Sequence, residues 1–526
     1  MKPRNKYYSY LVVLILILLL PALFINLGLL PLIADEATRA LVALEMEISG
    51  NIITPTINGE YYFNKPPLYN WILLSFFKIS NSHSEWIIRL PAVLSLLLFG
   101  LVIYLTVRKK IGDRAAFLGA LAFITCGRIL FYDSMLGLID LSFSLLIFLN
   151  FIIIYHYGRK EKFTLLFLLS YLITGITFLM KGLPAIVFQG LTLVAALIYF
   201  KKWKKLLSFS HLPGIAIFLL ITGSYYYLLL EQNPENRYFE VLVSESTKRT
   251  FIRHGFWKTF LHFFTYPAEQ LYHLLPWSVL FIYMIRKSFY REIKKNDFLR
   301  FLALVFIVNI PIYWISVDSY PRYVFMLYPI LFILLIHHYI MEENSGFTGK
   351  IFLPLLMTSL VSGFIAGSYF FLKYDFHDDN FALKVFIPVF LTGAIILFSI
   401  WRLSSIRLEL LILLLLVIRI GFNLIILPER FENSRVNVQK QQAINVAEIT
   451  AGKDLRLRPW SGISHETSFY ITRERRKILE IQWGTPSEDV LYIVPDYNRK
   501  KENETILYRF ETRWKNNPLR LVFYEK

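Results

Sequence analysis

Charge is scarce in this sequence. Only 18% of its 526 residues are Asp, Glu, Lys or Arg, against 56% that are hydrophobic, and an ordinary soluble domain carries far more charge than that. Cysteine is scarcer still: Cys126 is the single one, so no disulfide can form within the chain. No A-x-A pattern follows the basic start and its apolar run, and the run is longer than a signal-peptide core, so it reads as a first span that stays attached rather than a cleaved leader. Internal repeats and low-complexity segments are missing too, as are an H-E-x-x-H pair and any dense cluster of carboxylates of the kind that marks a metal enzyme.

What is present is hydrocarbon. Apolar runs of about 20 residues recur along most of the chain. Thirteen candidate spans result, the first over 8–30 and the last over 407–427. The net charge of +18 is spread over short clusters between the runs, such as "RKKIGDR", "KKWKK" and "RKSFYREIKK". That placement follows the positive-inside rule with a cytoplasmic N-terminus and gives nucleic acid no role as a partner. The expected fold is a polytopic α-helical membrane protein of about 13 transmembrane helices, with interfacial helices on the outer face and a C-terminal soluble α/β domain. Residues 1–430 form the membrane part, with outer loops at 31–84 and 231–269, and residues 431–526 the soluble part. The latter alternates strand-like runs ("DLRLR", "VLYIVP", "LRLVFYEK") with the helical "VNVQKQQAINVAEIT".

The first outer loop opens with "DEATRALVALEMEISG", a helical pattern with Asp35 as candidate N-cap and Gly50 as candidate C-cap. Its amphipathicity predicts a helix along the membrane surface. "PLYNWILLSFFKI" is too short to span and predicts a second one. Asp35 and Glu36 serve either as a cap that favours the helix dipole or as carboxylates aimed into a water-accessible cavity. "YYFNKPPLYNW" follows. Pro66 and Pro67 remove two backbone donors and hold the residue before them extended. Lys65 therefore projects from a stiff loop, either snorkelling to the headgroups or meeting a phosphate, with Tyr61 and Tyr62 adding hydroxyls.

Taken together, Asp35-Glu36, Glu45-Met46, Gly50, Pro55, Asn58-Gly59 and "YYFNKPPLYNW" resemble the first outer loop of the polyprenyl-phosphate-sugar-dependent glycosyltransferases of the C-type superfamily. That group holds the protein O-mannosyltransferases and the lipid A aminoarabinose transferase. "FLMKGLPAIV" resembles its turn in which a lysine, here Lys181, precedes Gly and Pro. "SESTKRTFIRHGFWKTFLHFFTYP" followed by "LLPW" resembles its later outer loop and supplies Glu245, Arg249 and His254. "SYPRYVFMLYP" resembles its P-R-Y motif, with Arg322 and Tyr323. The similarities reach from about residue 31 to 340. Two departures stand out: Asn64 replaces a Glu common among relatives, and the loop arginine falls at Arg39, one place late. The family also has an acid at the outer end of its fourth span, where Asp133 and Asp140 both stand; the distance to Lys181 favours Asp140.

The resemblance implies an inverting glycosyltransferase, hexosyl or pentosyl, that moves a sugar from polyprenyl phosphate to a lipid, glycan or protein hydroxyl. It would act on the outer face of the plasma (bacterial inner) membrane, with the C-terminal domain periplasmic. Asp35 and Asp140 are the expected catalytic pair, with Asp35 as base. Lys65, Arg249, Arg322 and Tyr62 are expected around the donor phosphate, and Glu36, Lys181, Glu245, His254 and Tyr323 complete the candidate set. A phosphate leaving group needs cations rather than a general acid, and one displacement inverts the anomeric carbon, unlike the paired carboxylates of a retaining glycosidase. No cofactor is called for with certainty; a divalent cation shared by Asp35 and Asp140 stays open. The alternative is a transporter or flippase of lipid-linked glycans, with Asp35, Asp140 and Arg249 along a translocation path. It calls for ionisable groups deep in several spans and a two-fold repeat, whereas the polar residues here gather at outer ends. The C-terminal tail is expected to cover the site or contact the acceptor.

Overall fold

The computed structural model describes residues 8–233, 238, 240, 241, 244, 256–317, 319–343, 345–373, 380–487, 489–496, 504–511 and 518–524. Its first part is a series of helices: α1 (Tyr8–Phe24), α2 (Asp35–Ser49), α3 (Leu68–Ser80), α4 (Glu85–Ile111), α5 (Asp113–Ile124), α6 (Gly127–Phe131), α7 (Asp140–Arg159), α8 (Phe163–Lys181), α9 (Pro184–Tyr199) and α10 (Leu212–Gln232). Further apolar helices include Asp297–Asn309, Tyr328–Met341 and Arg407–Gly421.

Apart from the amphipathic α2, the long helices are apolar on every side. On α4, Leu94, Leu98, Leu101 and Leu105 form an exposed stripe, while Val93, Leu96, Phe99, Ile103 and Val107 are buried. Such a helix meets protein on one face and hydrocarbon on the other. α4 packs on α5 and α7, and α7 on α8. A three-residue link joins α7 to α8, so the start of α7 and the end of α8 lie at the same end of the bundle.

Among the described residues six helices are long and apolar enough to cross a membrane, or seven if Asp113–Ile124 and Gly127–Met135, bent by 46°, count as one span. Gly346–Lys373 and Asn380–Arg402 add two apolar helices of 28 and 23 residues, whereas Tyr8–Phe24, Pro184–Tyr199 and Tyr328–Met341 have 17, 16 and 14, so some of the expected runs form shorter helices among the described residues. The expected run over 8–30 stops at Phe24, where turns begin and Asn26 takes φ 57°. Pro321–Val324 is a short 3₁₀ turn, and the apolar run that follows it becomes a helix at Tyr328.

In the first loop, Asp35 is not the N-cap. Ala34 holds that position without a side-chain cap, and Asp35 is the first residue of α2. Gly50 ends the helix at φ 72°. The hairpin β1 (Thr56–Ile57) and β2 (Glu60–Tyr61) turns on Asn58 and Gly59, with φ 53° and 77°, the conformation that favours Asn-Gly. Glu45 fastens that hairpin to α2. Its buried carboxylate accepts from Thr56 Oγ1 at 2.7 Å and from the Asn58 and Gly59 amides at 2.6 and 3.3 Å. Burial raises its pKa, and those three bonds oppose the rise.

The tail forms one sheet from β3 (Asp454–Leu457), β4 (Val490–Pro495), β5 (Glu504–Phe510) and β6 (Leu519–Tyr524), ordered β3-β4-β6-β5. β3 and β4 run parallel, the other pairs antiparallel. Helices Arg435–Ile449 and His465–Arg475 pack against each other, and His465–Arg475 also packs on α2.

Candidate active site

Residues 25–34 have no helix or strand to satisfy their backbone, so other groups must. Arg89 of α4 satisfies three of their carbonyls. Its Nη1 donates to the carbonyls of Leu27 and Leu30, each at 2.8 Å, and its Nη2 to that of Pro31 at 3.1 Å. The same guanidinium grips Glu36 through Nη2 at 2.9 Å and Nε at 3.2 Å. Glu36 also accepts from the amides of Ile33 and Gly137, both at 2.9 Å. Gly137 is required there: a Cβ would lie 2.7 Å from the Ile88 carbonyl oxygen. Glu36 and Arg89 are 0% and 2% exposed. Glu36, expected only as a further site candidate, is thus buried within the protein. It knots the start of α2 to α4 and to the segment before α7, and its carboxylate faces no open space.

Asp35, one residue earlier and about 100° around the helix, points the other way and is 67% exposed. Its Oδ2 accepts from Arg322 Nη2 at 2.7 Å. Arg322 sits on the turn Pro321–Val324, and its Nε lies 3.2 Å from Asp140 Oδ2 without the alignment of a hydrogen bond. Asp140 is the first residue of α7, and its Oδ1 accepts from Lys181 Nζ, at the end of α8, at 2.6 Å. Gly182, at φ 79°, turns the chain directly after Lys181. The Lys181 ammonium lies 4.2 Å from the centre of the Tyr323 ring, and the Arg322 guanidinium 4.3 Å from that of Tyr320. Asp35, Arg322, Asp140 and Lys181 thus alternate in sign along one line of contacts. Asp133 is paired with Arg128 at 2.6 Å.

Tyr62 and Lys65 come from the turn before α3. Tyr62 accepts from Arg39 Nη2, and Arg39 Nη1 reaches Asn70 Oδ1 at 3.5 Å. Arg39 thereby fixes the Tyr-Tyr-Phe segment against α2. Lys65 is half-buried beside Pro66 and Pro67. Glu245, Arg249 and His254 lie outside the described residues. No three His, Cys, Asp or Glu side chains gather as a metal site among the described residues. Tyr69 Oη and Asn70 Nδ2 are buried with no hydrogen-bond partner there.

The sequence reading missed Arg89, although an arginine inside "HSEWIIRLPAVL" is a signal in itself, because an ionisable group in an apolar run needs a stated partner. It also missed the tail helix. The Leu32 amide donates to Tyr470 Oη at 2.8 Å, the Ala34 amide to Glu466 Oε1 at 2.9 Å, and Thr38 Oγ1 lies 2.8 Å from His465 Nδ1. Burial lowers the pKa of His465, with Arg39 adding to that and Glu466 and Asp35 opposing it.

Apolar helices that carry paired acids and cations at one shared end define a polytopic membrane protein with a charged site at its helix termini. Residues 64–227 match the dolichyl-phosphate-mannose-protein mannosyltransferase family. An uncharacterized protein of Aquifex aeolicus is 27% identical over 370 residues, 69% of this chain and 70% of that one. The undecaprenyl phosphate-alpha-4-amino-4-deoxy-L-arabinose arabinosyl transferase of Erwinia tasmaniensis is 25% identical over 328 residues, 59% of this chain and 56% of that one. The matched part therefore spans little more than half of the transferase. In fold the chain is similar to ArnT from Cupriavidus metallidurans bound to undecaprenyl phosphate, with a TM-score of 0.72 at 18% identity over 98% of each chain. In sequence and in fold this chain resembles the C-type glycosyltransferases of the aminoarabinose-transferase and protein-mannosyltransferase type.

Proposed function

We propose that this chain is an inverting glycosyltransferase that moves a sugar from a polyprenyl-phosphate donor to a hydroxyl of a lipid, glycan or protein acceptor at the outer face of the plasma membrane. One observation carries the reading: Asp35 is exposed, yet one of its oxygens is held by a guanidinium that also lies against Asp140. A phosphate is a natural competitor for that guanidinium, since its oxygens match the planar fork. When the donor draws Arg322 toward its phosphate, Asp35 is released as a base. The acceptor O–H proton then passes to Asp35, and the acceptor oxygen bonds to the anomeric carbon. The bond from that carbon to the phosphate oxygen breaks, and its electron pair leaves with polyprenyl phosphate. Arg322, Lys65 and Arg249 are assigned to the departing negative charge, which counts most where water is excluded. Lys181 stays with Asp140 and holds it in register. A single displacement gives inversion.

The relatives support a lipid-phosphate donor: their names specify undecaprenyl phosphate aminoarabinose, and a solved neighbour was bound to undecaprenyl phosphate. Thirteen crossings, a cytoplasmic N-terminus and an outer tail belong to the same proposal, on the placement of the basic clusters. Mass spectrometry of lipids and envelope glycans from cells lacking the protein tests it. One glycosylated species is expected to vanish and to return when the gene is restored; an unchanged profile would overturn the reading. With purified protein, undecaprenyl phosphate α-4-amino-4-deoxy-L-arabinose is the first donor to try, followed by undecaprenyl-phosphate hexoses.

Arg322→Lys keeps the charge but loses the fork, so one ammonium must choose between Asp35, Asp140 and the phosphate. Donor turnover, read as released polyprenyl phosphate, is expected to fall about 100-fold. Turnover close to wild type would remove Arg322 from the phosphate site.

A further inference from the structure

The segment that delivers Asp35 is held from the tail. Three consecutive amides each donate to a side chain: Leu32 to Tyr470, Ile33 to Glu36, and Ala34 to Glu466. One turn into α2, Thr38 meets His465. Two of the three amide acceptors, and the Thr38 partner, thus come from the single helix His465–Arg475, more than 400 residues away in sequence.

Ala34 is the unusual member. Its φ of 51° and ψ of −131° lie where glycine is at ease and an L side chain is not. Such a residue keeps that conformation only where its surroundings over-determine it, and these outliers collect at functional sites. Rotation about Ala34 moves the next residue directly, and the next residue is Asp35. The Glu466 carboxylate, 2.9 Å from the Ala34 nitrogen, is the side-chain contact on that amide.

We propose that Glu466 is a positioning residue for catalysis: by holding the Ala34 amide it keeps a strained turn in place and aims Asp35 at the acceptor. This rests on the reading of Asp35 as the base. It also gives the tail a task in the chemistry beyond covering the site. Docking of the tail does not depend on Glu466. Lys440 and Tyr470 both reach Glu85, at 2.6 and 3.0 Å, the Ile481 amide donates to the Asn58 carbonyl at 3.2 Å, and Trp483 Nε1 donates to Glu60 at 2.9 Å. Loss of the Glu466 carboxylate therefore frees one amide while the interface persists.

The test uses the full-length protein in detergent and the donor that the wild type turns over. Glu466→Ala is expected to lower kcat about tenfold with the donor KM within about twofold, as a misaimed base predicts. Glu466→Gln keeps an acceptor oxygen and is expected to lose less. In an Ala34→Gly background the turn no longer carries strain, so the same Glu466→Ala change is expected to lose only about threefold or less. A role in docking alone would give equal losses in both backgrounds, and equal losses would overturn the proposal. So would an effect confined to KM, or full activity of Glu466→Ala. Gel filtration and melting confirm that each variant is folded. Asp35→Asn runs alongside: if it keeps turnover, the base assignment falls and this inference with it, whereas a dead Asp35→Asn beside a normal Glu466→Ala sinks this inference alone.

Discussion

Asp35→Asn is expected to lower turnover of the polyprenyl-phosphate donor by about 10²- to 10⁴-fold, the range a positioned general base contributes, while the protein remains folded. The amide has the same size and still offers an oxygen to Arg322 Nη2, so that hydrogen bond survives. What disappears is the proton acceptor and the negative charge. The side chain is 67% exposed, so stability is expected to stay within about 0.5 kcal/mol of wild type. The two kinetic parameters separate the explanations. Without the Asp35 charge Arg322 is freer to meet a phosphate, so the donor KM is expected to hold or fall while kcat collapses. A raised KM with kcat preserved would place Asp35 in donor binding instead, and turnover within tenfold of wild type would end its assignment as base. The assay is release of polyprenyl phosphate at saturating donor, with melting in detergent as the folding control.

Much of this site was legible because its parts carry physical constraints that show in sequence. Lys181 precedes a glycine that must turn at positive φ, Arg322 follows a proline, and Asp140 was preferred to Asp133 for its reach to Lys181, which the 2.6 Å contact matches. Glu45 and the Asn-Gly turn, read only as motif, prove to be one structure, an acid holding the hairpin's amides. Glu36 shows where such reading stops. Adjacent acids at a helix start look alike in sequence, yet a turn of about 100° sends one into Arg89 and the other toward Arg322. Hydropathy counts apolar runs but does not see the turns that shorten them, as at Asn26. The tail contacts were beyond any local pattern, because no spacing within the tail announces that Tyr470 and Glu466 meet the amides of Leu32 and Ala34.

Glu36→Ala is expected to be the most damaging single change for stability, costing about 3–5 kcal/mol. The pair it breaks is almost wholly shielded from water. Removal of the carboxylate leaves the Arg89 guanidinium buried and uncompensated, which is costlier than the pair was favourable. Two amides, those of Ile33 and Gly137, lose their acceptor as well, each a further penalty of about 1–3 kcal/mol if no water replaces it. Arg89 would still hold the carbonyls of Leu27, Leu30 and Pro31, so the loop is expected to loosen rather than detach. Glu36→Gln keeps an oxygen for one amide but not the charge, and should fall between wild type and Glu36→Ala. Removing Arg89 as well relieves the stranded cation but orphans three carbonyls, so the double variant is not expected to return to wild-type stability. The measurement is thermal melting of the purified protein, with donor turnover taken well below the transition. Turnover is expected to drop along with stability, because Ile33 and Glu36 bracket Ala34 and Asp35. An unchanged melting temperature for Glu36→Ala would mean that the knot beneath Asp35 does not hold the loop, and that the aim of the base is set from the tail side alone.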